Sequence, residues 1–243
     1  MTTKVLSVGG SIIAPNEVDT NFLSEFCSMT VSYLTSNPET RLILVAGGGG
    51  PARIYQNAYK TVLSSYTDTI RNAASYSEQD TLNNACDWIG IMATRLNAQI
   101  LKTCFGPLCQ QEVVTDPTKV TDFTGRVLLA AGWKPVFSSD NDAVLLAERF
   151  NADTVVNLSN IEKVYTDDPK KNPTAKPLDT ISWEDFRKMV GDEWVPGKNC
   201  PFDPIASKKA SEIGLKVICA SGKNISNIRS ILDGKDYIGT TIR

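Results

Sequence analysis

Two glycine-rich segments each follow a short apolar run and carry residue types that can hold a phosphate. Gly47-Gly48-Gly49-Gly50 follows residues 42–46, and Gly9-Gly10-Ser11 follows residues 4–8. Glycine lets the backbone approach a phosphate closely, and the free N–H groups at the start of a helix attract negative charge. The four-glycine segment therefore predicts a phosphate cradle, to which Arg53 in the first turn of the following helix could add a bidentate cation. Tight packing of the backbone is the alternative explanation of the four glycines. For residues 9–11, a plain turn from strand to helix is the alternative.

A third segment combines an aromatic ring with hydrogen-bonding side chains after another apolar run. Residues 154–158 are followed by Ser159, Asn160, Tyr165 and Asp168. The tyrosine ring can flank a base, and the aspartate can accept hydrogen bonds from ribose or base donors. The pattern predicts a nucleotide-binding loop, with a strand followed by a surface turn as the alternative.

Four polar or small residues recur at helical spacing within the amphipathic stretch 82–101, namely Asp87, Gly90, Thr94 and Asn97. Residues three or four positions apart share one side of a helix. This side could line a pocket in which Asp87 accepts hydrogen bonds from a sugar diol. An exposed polar face or a helix–helix contact explains the same spacing.

Carboxylates concentrate in two further places. The first is the polar segment Ser138-Ser139-Asp140-Asn141-Asp142. Its Asp140 or Asn141 could cap the helix that follows, or its carboxylates could organise cations around a transferring phosphoryl group. The second is Asp203-Pro204, followed by Lys208, which indicates either a helix cap with a solvated face or a supply of positive charge.

The composition excludes several classes of function. The chain of 243 residues contains no histidine, which removes Ser-His-Asp and Cys-His catalysis and every histidine-ligated metal site. Phosphoryl transfer survives this constraint, because positioning and charge neutralisation supply most of its catalysis. The net charge of −2 provides no basic field that would hold nucleic acid or an anionic membrane.

The cysteines and the apolar runs indicate the compartment. The six cysteines form no C-x-x-C pair, so free thiols in a reducing environment are expected. No apolar run is long enough to span a bilayer, and the first residues lack the apolar stretch of a signal peptide. We therefore expect a cytoplasmic protein whose partners are small molecules.

Strands and helices are predicted to alternate along most of the chain. The predicted strands are 4–8, 42–46, 135–137, 155–158, 215–220 and 238–242. The predicted helices are 22–34, 52–63, 82–101, 124–131, 143–150, 183–190, 205–213 and 225–232, and residues 64–80 are predicted to be rich in loops. This alternation indicates an α/β fold with a parallel-dominated sheet that is covered on both faces.

Taken in order, these residues resemble the amino-acid-kinase superfamily, and within it the archaeal-type uridylate (UMP) kinases. The matching segments are residues 8–11, 47–53, 87–98, 142–148, 159–175, 203–208 and 239–242, which together span nearly the whole chain. The resemblance implies a three-layer α/β/α sandwich with a mostly parallel central sheet. It also implies a single domain over residues 1–243, in which residues 1–150 bind the acceptor and residues 151–243 bind ATP.

The resemblance implies transfer of a phosphoryl group from ATP, accompanied by Mg²⁺, to UMP, and a homo-oligomer, commonly a hexamer in this family. The implied ATP-binding residues are Gly9, Gly10, Ser11, Gly49, Arg53, Ser159, Asn160, Tyr165 and Asp168. The implied acceptor-binding residues are Gly48, Asp87, Ser138, Ser139, Asp140 and Asn141. Asp142 would organise the cations of the active site, with Arg53 and Lys208 supplying positive charge, and no separate metal site of the protein is implied.

The chain departs from the family pattern in three places. Ser7 and Gly50 stand where family members place a lysine near the transferred phosphoryl group. The candidate substitutes are Arg53, Lys163, Lys198 and Lys208. Glu162-Lys163 replaces the usual Asp-Gly, so that either the turn has changed or Lys163 reaches the nucleotide. Residues 138–142 are shorter than the family's uridine-binding loop and look more like the Asp-Asn-Asp of glutamate 5-kinases.

Two alternative functions follow from these departures. The Asp-Asn-Asp segment suggests a kinase of a small carboxylate or carbamate. The missing lysines suggest a catalytically weak nucleotide-binding protein with a regulatory or storage role on the same fold. If the chain is a kinase, Asp142→Ala should abolish transfer, and Asp168→Ala should weaken ATP binding.

Overall fold

The computed structural model describes residues 1–73, 78–193 and 200–243. The strands are β1 (Thr2–Val8), β2 (Thr40–Ala46), β3 (Val127–Ala130), β4 (Thr154–Ser159), β5 (Val164–Tyr165), β6 (Pro177–Leu178), β7 (Thr180–Ile181), β8 (Lys216–Ser221) and β9 (Thr240–Ile242). The helices are α1 (Gly10–Ile13), α2 (Thr20–Ser36), α3 (Gly49–Ala73), α4 (Glu78–Phe105), α5 (Ser139–Arg149), α6 (Trp183–Val190), α7 (Pro204–Glu212) and α8 (Ile225–Asp233).

Seven of the strands form one mostly parallel sheet, in the order β3-β2-β1-β4-β8-β9-β7. Strands β1, β2, β3, β4 and β8 run parallel, and β9 is antiparallel to β8. The short strands β5 and β6 form a separate antiparallel ribbon. The strand order reverses beside β1, which has β2 on one side and β4 on the other. In open α/β sheets, ligands bind outside the carboxyl ends of the strands at such a reversal.

Helices cover both faces of the sheet. Successive strand residues point to opposite faces, so each face contributes its own apolar side chains to a core. On one face, Leu42 and Leu44 of β2 join a core formed with α2, α4 and α8. On the other face, Ile43 and Val45 join a core formed with α5, α6 and α7. The result is the predicted three-layer α/β/α arrangement. In the described part of the chain, no helix is both long and apolar enough to cross a membrane.

Side-chain caps fix where two helices begin near the carboxyl edge of the sheet. The Ser138 hydroxyl accepts a hydrogen bond from the backbone N–H of Asn141 at the start of α5. The predicted cap, Asp140 or Asn141, is therefore wrong, because both residues already lie inside the helix. Oδ1 of Asp203 accepts a hydrogen bond from the N–H of Ala206, 2.9 Å away, at the start of α7. Both caps satisfy N–H groups that have no partner inside their helices.

Three predicted elements are wrong. Residues 124–131 contain the strand β3 rather than a helix, because a four-residue apolar run has no periodicity that separates the two states. Residues 135–137 form a turn instead of a strand, with Val136 at a φ angle of +73°. Residues 64–73 continue α3, and α4 begins at Glu78, so most of the predicted loop at 64–80 is polar helix. Residues 74–77 lie outside the described ranges.

The apolar residues of α4 divide between two sides of the helix. Ile91 is buried, whereas Trp88, Met92 and Leu96 are exposed, Leu96 by 69%. These three residues are spaced by four positions and therefore form one stripe along the outside of the helix.

Candidate active site at the carboxyl edge of the sheet

Two glycine turns cross face to face where the neighbouring strands β1 and β2 end. A Cβ atom on Gly10 would overlap the backbone nitrogen of Gly49 and would lie 2.6 Å from the carbonyl carbons of Gly47 and Gly48. Gly49 also has a φ angle of +69°, which side-chain-bearing residues rarely adopt. Only glycine fits this crossing, which leaves bare backbone exposed to any ligand at the edge.

The positive end of α3 lies at this crossing. The helix begins at Gly49 and is 25 residues long, so its partial positive charge is directed at the space above the glycines. Arg53 lies in the first turn, is exposed, and donates a hydrogen bond from Nη2 to the Pro15 carbonyl at 3.2 Å. The guanidinium is therefore held near the α1–α2 connection.

The end of β4 meets the first glycine turn. The N–H of Gly9 donates to the Leu158 carbonyl at 2.8 Å, and a Cβ on Gly9 would lie 3.6 Å from Cα of Ser159. Asn160 follows Ser159 at the surface. The structure thus brings the predicted residues Gly9, Gly10, Gly49 and Ser159 to one edge of the sheet, and Ser11 follows in α1.

Tyr165 lies in β5, and Asp168 lies in the loop that joins β5 to β6. The ribbon is tied to the main sheet by a hydrogen bond from the N–H of Val164 to the hydroxyl of Thr240, at 2.8 Å. Asp168 is exposed, and its Oδ1 accepts a hydrogen bond from the N–H of Lys170 at 3.0 Å. The aspartate therefore shapes its own loop in the ligand-free protein.

Asp140 is turned into the protein between three elements. Its Oδ1 accepts a hydrogen bond from the Ser7 hydroxyl of β1 at 2.9 Å, and its Oδ2 accepts one from the N–H of Asp203 at 3.3 Å. Loss of water around the carboxyl raises the pKa of Asp140 to about 6; the charge of Asp203 acts in the same direction, and the Ser7 hydrogen bond opposes it.

Asp142 is fully buried, and only one of its two carboxylate oxygens has a hydrogen-bond partner. Its Oδ2 accepts a hydrogen bond from the N–H of Trp133 at 3.1 Å, while Oδ1 has no partner in the structure. Burial raises the pKa of Asp142 to about 7, and the charges of Asp140 and Asp116 add to this. The side-chain amide nitrogen of Asn141 is likewise buried without a partner. Buried polar atoms are nearly always hydrogen-bonded, so these two atoms are suited to meet a ligand.

Polar side chains of α4 support the site through hydrogen bonds to backbone groups of neighbouring segments. Nδ2 of Asn97 donates to the carbonyls of Gly47 and Gly48, at 2.7 and 3.2 Å. The hydroxyl of Thr94 accepts a hydrogen bond from the N–H of Gly132 at 2.8 Å. Gly48 lies against the same helix, since a Cβ there would be 3.2 Å from the Gly90 carbonyl. The four-residue stripe therefore supports neighbouring backbone and is not an exposed face: Asn97 is buried, and Asp87, Gly90 and Thr94 are half-buried.

Residues 132–138, which we call the 132–138 loop, are fastened to α4 at several points. Oδ2 of Asp87 accepts a hydrogen bond from the N–H of Val136 at 3.0 Å. Arg95 donates to the carbonyls of Gly132 and Trp133, at 3.3 and 3.2 Å through Nη2. Arg95 and Ser7 contact the candidate site, through the 132–138 loop and Asp140 respectively, and the sequence predicted a role for neither. The period-two pattern of β1 was a signal for Ser7, because it puts Ser7 on the same face as Val5, under α5.

The candidate substitutes for the missing lysines fall in different places. Lys163 forms an ion pair with Asp179. Lys208 is exposed on α7, where its charge, with the larger contribution of Arg187, lowers the pKa of Asp192. Lys198 lies outside the described residues. Arg53 is the candidate that lies at the glycine crossing.

The donor set fits a magnesium ion that arrives with phosphate. Within the described ranges, no group of three or more acidic, cysteine or histidine side chains could hold a metal. Mg²⁺ demands six oxygen ligands and keeps several waters, and is commonly bound through one or two carboxylates plus substrate phosphates. Asp142, with one free buried oxygen, is compatible with that arrangement.

The fold and this edge define a member of the amino acid kinase family, and the model of that family matches residues 2–221 of the chain. The chain belongs to this family. It is 31% identical to the uridylate kinase of Methanospirillum hungatei over 245 aligned positions, covering 100% of this chain and 95% of the relative. It is 33% identical to the uridylate kinase of Methanosarcina barkeri, covering 94% and 91%.

A solved structure shares the fold over the full length. The uridylate kinase of Archaeoglobus fulgidus superimposes with a TM-score of 0.79 at 28% identity, covering 100% of both chains. The predicted family and the predicted mostly parallel α/β/α architecture are thus confirmed, and the names of the relatives agree with the predicted phosphotransferase class.

Proposed function

We propose that the protein transfers the γ-phosphoryl group of ATP to UMP, giving ADP and UDP. The observation that carries the proposal is the crossing of Gly10 and Gly49, which presents bare backbone and a helix N-terminus at the strand reversal. Such a site suits phosphate groups on both substrates. The uridylate kinases that resemble this chain over its whole length support UMP as the acceptor.

We assign ATP to the side of the crossing nearest β4. Gly9, Gly10, Ser11 and Gly49 meet its phosphates, with Arg53 adding charge. The nucleoside portion of ATP is held by residues 151–243, which form the ATP-binding lobe. Its contacts are Ser159, Asn160, Tyr165 and Asp168. Asp168 would exchange the Lys170 amide for nucleotide donors, and Asp168→Ala is expected to weaken ATP binding.

We assign UMP to the side of the crossing that α4 covers. Gly48 receives its phosphate, and Asp87 accepts hydrogen bonds from its ribose. Ser138, Ser139 and Asn141, in the first turn of α5, complete this side within residues 1–150. Asp140 acts through Ser7 and Asp203, because both of its oxygens are already engaged by them.

Asp142 stands between the two substrates and organises positive charge. Transfer spreads negative charge over the equatorial oxygens of the phosphoryl group, and fixed cations lower the barrier because they need no reorganisation. Arg53 and Lys208 are the cations assigned to this task, Lys208 requiring a movement of its exposed side chain. Magnesium bound to ATP neutralises part of the same charge.

The glutamate-kinase-like alternative gains no support from the geometry of Asp140. A carboxylate that recognised a small substrate would have to face the acceptor, whereas Asp140 faces Ser7 and the α7 cap. The experiment is an acceptor panel: purified protein with MgATP and UMP, CMP, glutamate, aspartate or carbamate, with ADP followed by chromatography. UDP formation with UMP supports the proposal. Turnover on glutamate or carbamate alone, or ATP binding without turnover on any acceptor, contradicts it.

We also propose that the protein is a cytoplasmic homo-oligomer that buries the exposed apolar side of α3 and α4. Ile54, Tyr55 and Val62 of α3 are exposed, as are Trp88, Met92 and Leu96 of α4. Contiguous apolar surface of this kind is typical of an interface. Leu96→Glu is expected to reduce the mass measured by light scattering, whereas the isolated exposed residue Val18, changed to Glu, should leave it unaltered.

A further inference from the structure

The β5–β6 ribbon, which carries Tyr165, is too short to fix its own orientation. Each strand has two residues, and Val164 pairs with Leu178 while Tyr165 pairs with Pro177. A two-stranded ribbon is marginally stable at best when it stands alone. The direction in which the ribbon presents Tyr165 therefore depends on its contacts with the main sheet.

One hydroxyl group contacts both strands of this ribbon. The Thr240 hydroxyl of β9 accepts a hydrogen bond from the N–H of Val164 at 2.8 Å and donates one to the carbonyl of Leu178. Val164 and Leu178 lie opposite each other in the ribbon, so the hydroxyl joins the two strands through its proton and a lone pair. Thr240 and Val164 are both fully buried, so water has little access to the bond between them.

The main sheet fixes the position of Thr240. Strand β9 pairs with β7 on one side and with β8 on the other. Alternate residues of a strand point to opposite faces, so Thr240 shares the face of Ile242, where Val164 also belongs to the core. Thr241 points to the other face, and its hydroxyl forms a hydrogen bond with that of Tyr237 at 2.6 Å. The two neighbouring threonines therefore support different parts of the protein.

Strand β5 depends on Thr240 more than β6 does. The single residue Asp179 joins β6 to β7, which is part of the main sheet, whereas β5 lies between two loops. Burial of Val164 is favourable without being directional, and the ion pair of Lys163 with Asp179 is weak because Asp179 is 85% exposed. A hydrogen bond weakens steeply when it is bent, so the bond to Thr240 sets the orientation of β5.

We propose that Thr240 is a positioning residue for ATP, because its hydroxyl fixes the direction in which β5 presents Tyr165. This inference rests on the function proposed above, in which Tyr165 and Asp168 hold the nucleoside portion of ATP. Tyr165 directly follows Val164 in the chain, so a displacement of Val164 moves the tyrosine. Contacts to the nucleoside are the same before and during phosphoryl transfer, so their loss raises KM for ATP without lowering kcat.

The discriminating variants are Thr240→Val and Thr240→Ser. Valine keeps the shape but removes the hydroxyl, which leaves the N–H of Val164 and the carbonyl of Leu178 unpaired unless the ribbon shifts. The Kd of a non-hydrolysable ATP analogue, measured by titration calorimetry, and KM for ATP should both rise about ten-fold. KM for UMP and kcat should stay near the wild-type values. Serine keeps the hydroxyl, so Thr240→Ser should bind the analogue as the wild type does.

Thr241→Val is the matched control, since it removes the same hydroxyl from the next residue, whose partner is Tyr237. It should leave the affinity for the analogue unchanged. If Thr240 were only structural, both valine variants would melt at a lower temperature without differing in their affinity for ATP. That result, or a Thr240→Ser variant as weak as Thr240→Val, would overturn the inference, while wild-type turnover of UMP leaves the proposed function standing.

The affinities also separate this inference from the proposed function in the opposite case. A wild-type protein that binds the ATP analogue but phosphorylates no acceptor contradicts the proposed function, and the Kd values of the variants still decide the role of Thr240. A wild-type protein that does not bind the analogue overturns both.

Discussion

The glycine crossing and the 132–138 loop border the same site, yet they are held in opposite ways. At the crossing, Gly10 and Gly49 approach so closely that no side chain fits, and the backbone itself is the packed surface. In the loop, the backbone is suspended from α4 by separate side chains, among them Asp87, Thr94 and Arg95. The first region can hardly move, whereas the second can exchange its hydrogen bonds one at a time.

This difference matches the role that we propose for each region. A phosphate cradle needs fixed N–H groups, because preorganised donors stabilise developing charge without a cost of reorganisation. An acceptor-binding loop must admit and release a substrate, so tethers of moderate strength serve it better. The glycine crossing is therefore expected to fail outright when it is altered, and the loop to change by degrees.

The largest effect is expected from Gly10→Ala. Its Cβ would overlap the Gly49 backbone, which cannot yield as a flexible side chain would, so unfolding free energy should fall by about 3 kcal/mol or more. Gly214→Ala is the matched comparison: its φ is +64° but no atom lies within 4 Å of the added Cβ. It should cost only about 1–2 kcal/mol in urea unfolding. Equal losses would show that the crossing is no tighter than an ordinary turn.

Asp142→Asn should be the next largest change, and it should act on turnover rather than on folding. The shape and the acceptor for the Trp133 N–H are retained, but the charge that organises the cations is lost, so kcat should fall about 100-fold or more. Asp236→Asn removes the same charge from an exposed position and should leave kcat unaltered. An Asp142→Asn variant that is as active as the wild type would remove Asp142 from the chemistry.

Asp140 and Asp142 should both lower the free energy of unfolding as pH rises. Their folded-state pKa values are raised from 3.8 to about 6 for Asp140 and about 7 for Asp142. The folded protein therefore keeps protons that the unfolded chain has released, and this contribution to unfolding free energy is lost as pH rises from about 4 to about 7. Between pH 5 and pH 8 the loss attributable to Asp142 should be roughly 2–3 kcal/mol.

The measurement is urea unfolding of the wild type and Asp142→Asn at both pH values. The wild type should lose more stability than the variant over this interval, because asparagine does not titrate. Parallel losses in the two proteins would mean that Asp142 ionises normally in the folded state.

The smallest effects are expected from the tethers themselves. Asn97→Ala leaves the buried Gly47 and Gly48 carbonyls without their shared donor and should cost about 1–3 kcal/mol. Arg95→Ala frees the carbonyls of Gly132 and Trp133, whose hydrogen bonds from Nη2 are long, at 3.3 and 3.2 Å, so a cost below about 1 kcal/mol is expected. The comparison of the two regions would be reversed if Arg95→Ala proved the more damaging in thermal unfolding.

Predictions from the sequence succeeded where they depend on residue type or on interactions between residues close in the chain. The alternation of apolar runs indicated the α/β class, and Asp203 caps a helix as predicted. The cap of α5 was assigned to Asp140 or Asn141, whereas the structure gives it to Ser138. Predictions failed between Thr124 and Phe137, where a helix and a strand were assigned in place of β3 and a turn. Four apolar residues satisfy either state, and the choice is made by the neighbouring strand β2.

The sequence by itself determined that histidine chemistry is excluded, and it predicted a phosphate site at the glycine runs, because residue types and their order can be recognised without knowledge of the fold. Only the tertiary structure decided that Ser7 holds Asp140 across 133 residues and that Asp87 is engaged by Val136 across 49. The tertiary structure also pairs the ammonium group of Lys163 with the carboxylate of Asp179. A side chain chooses among many partners of similar strength, and the packing of the helices on the sheet selects which one comes within reach.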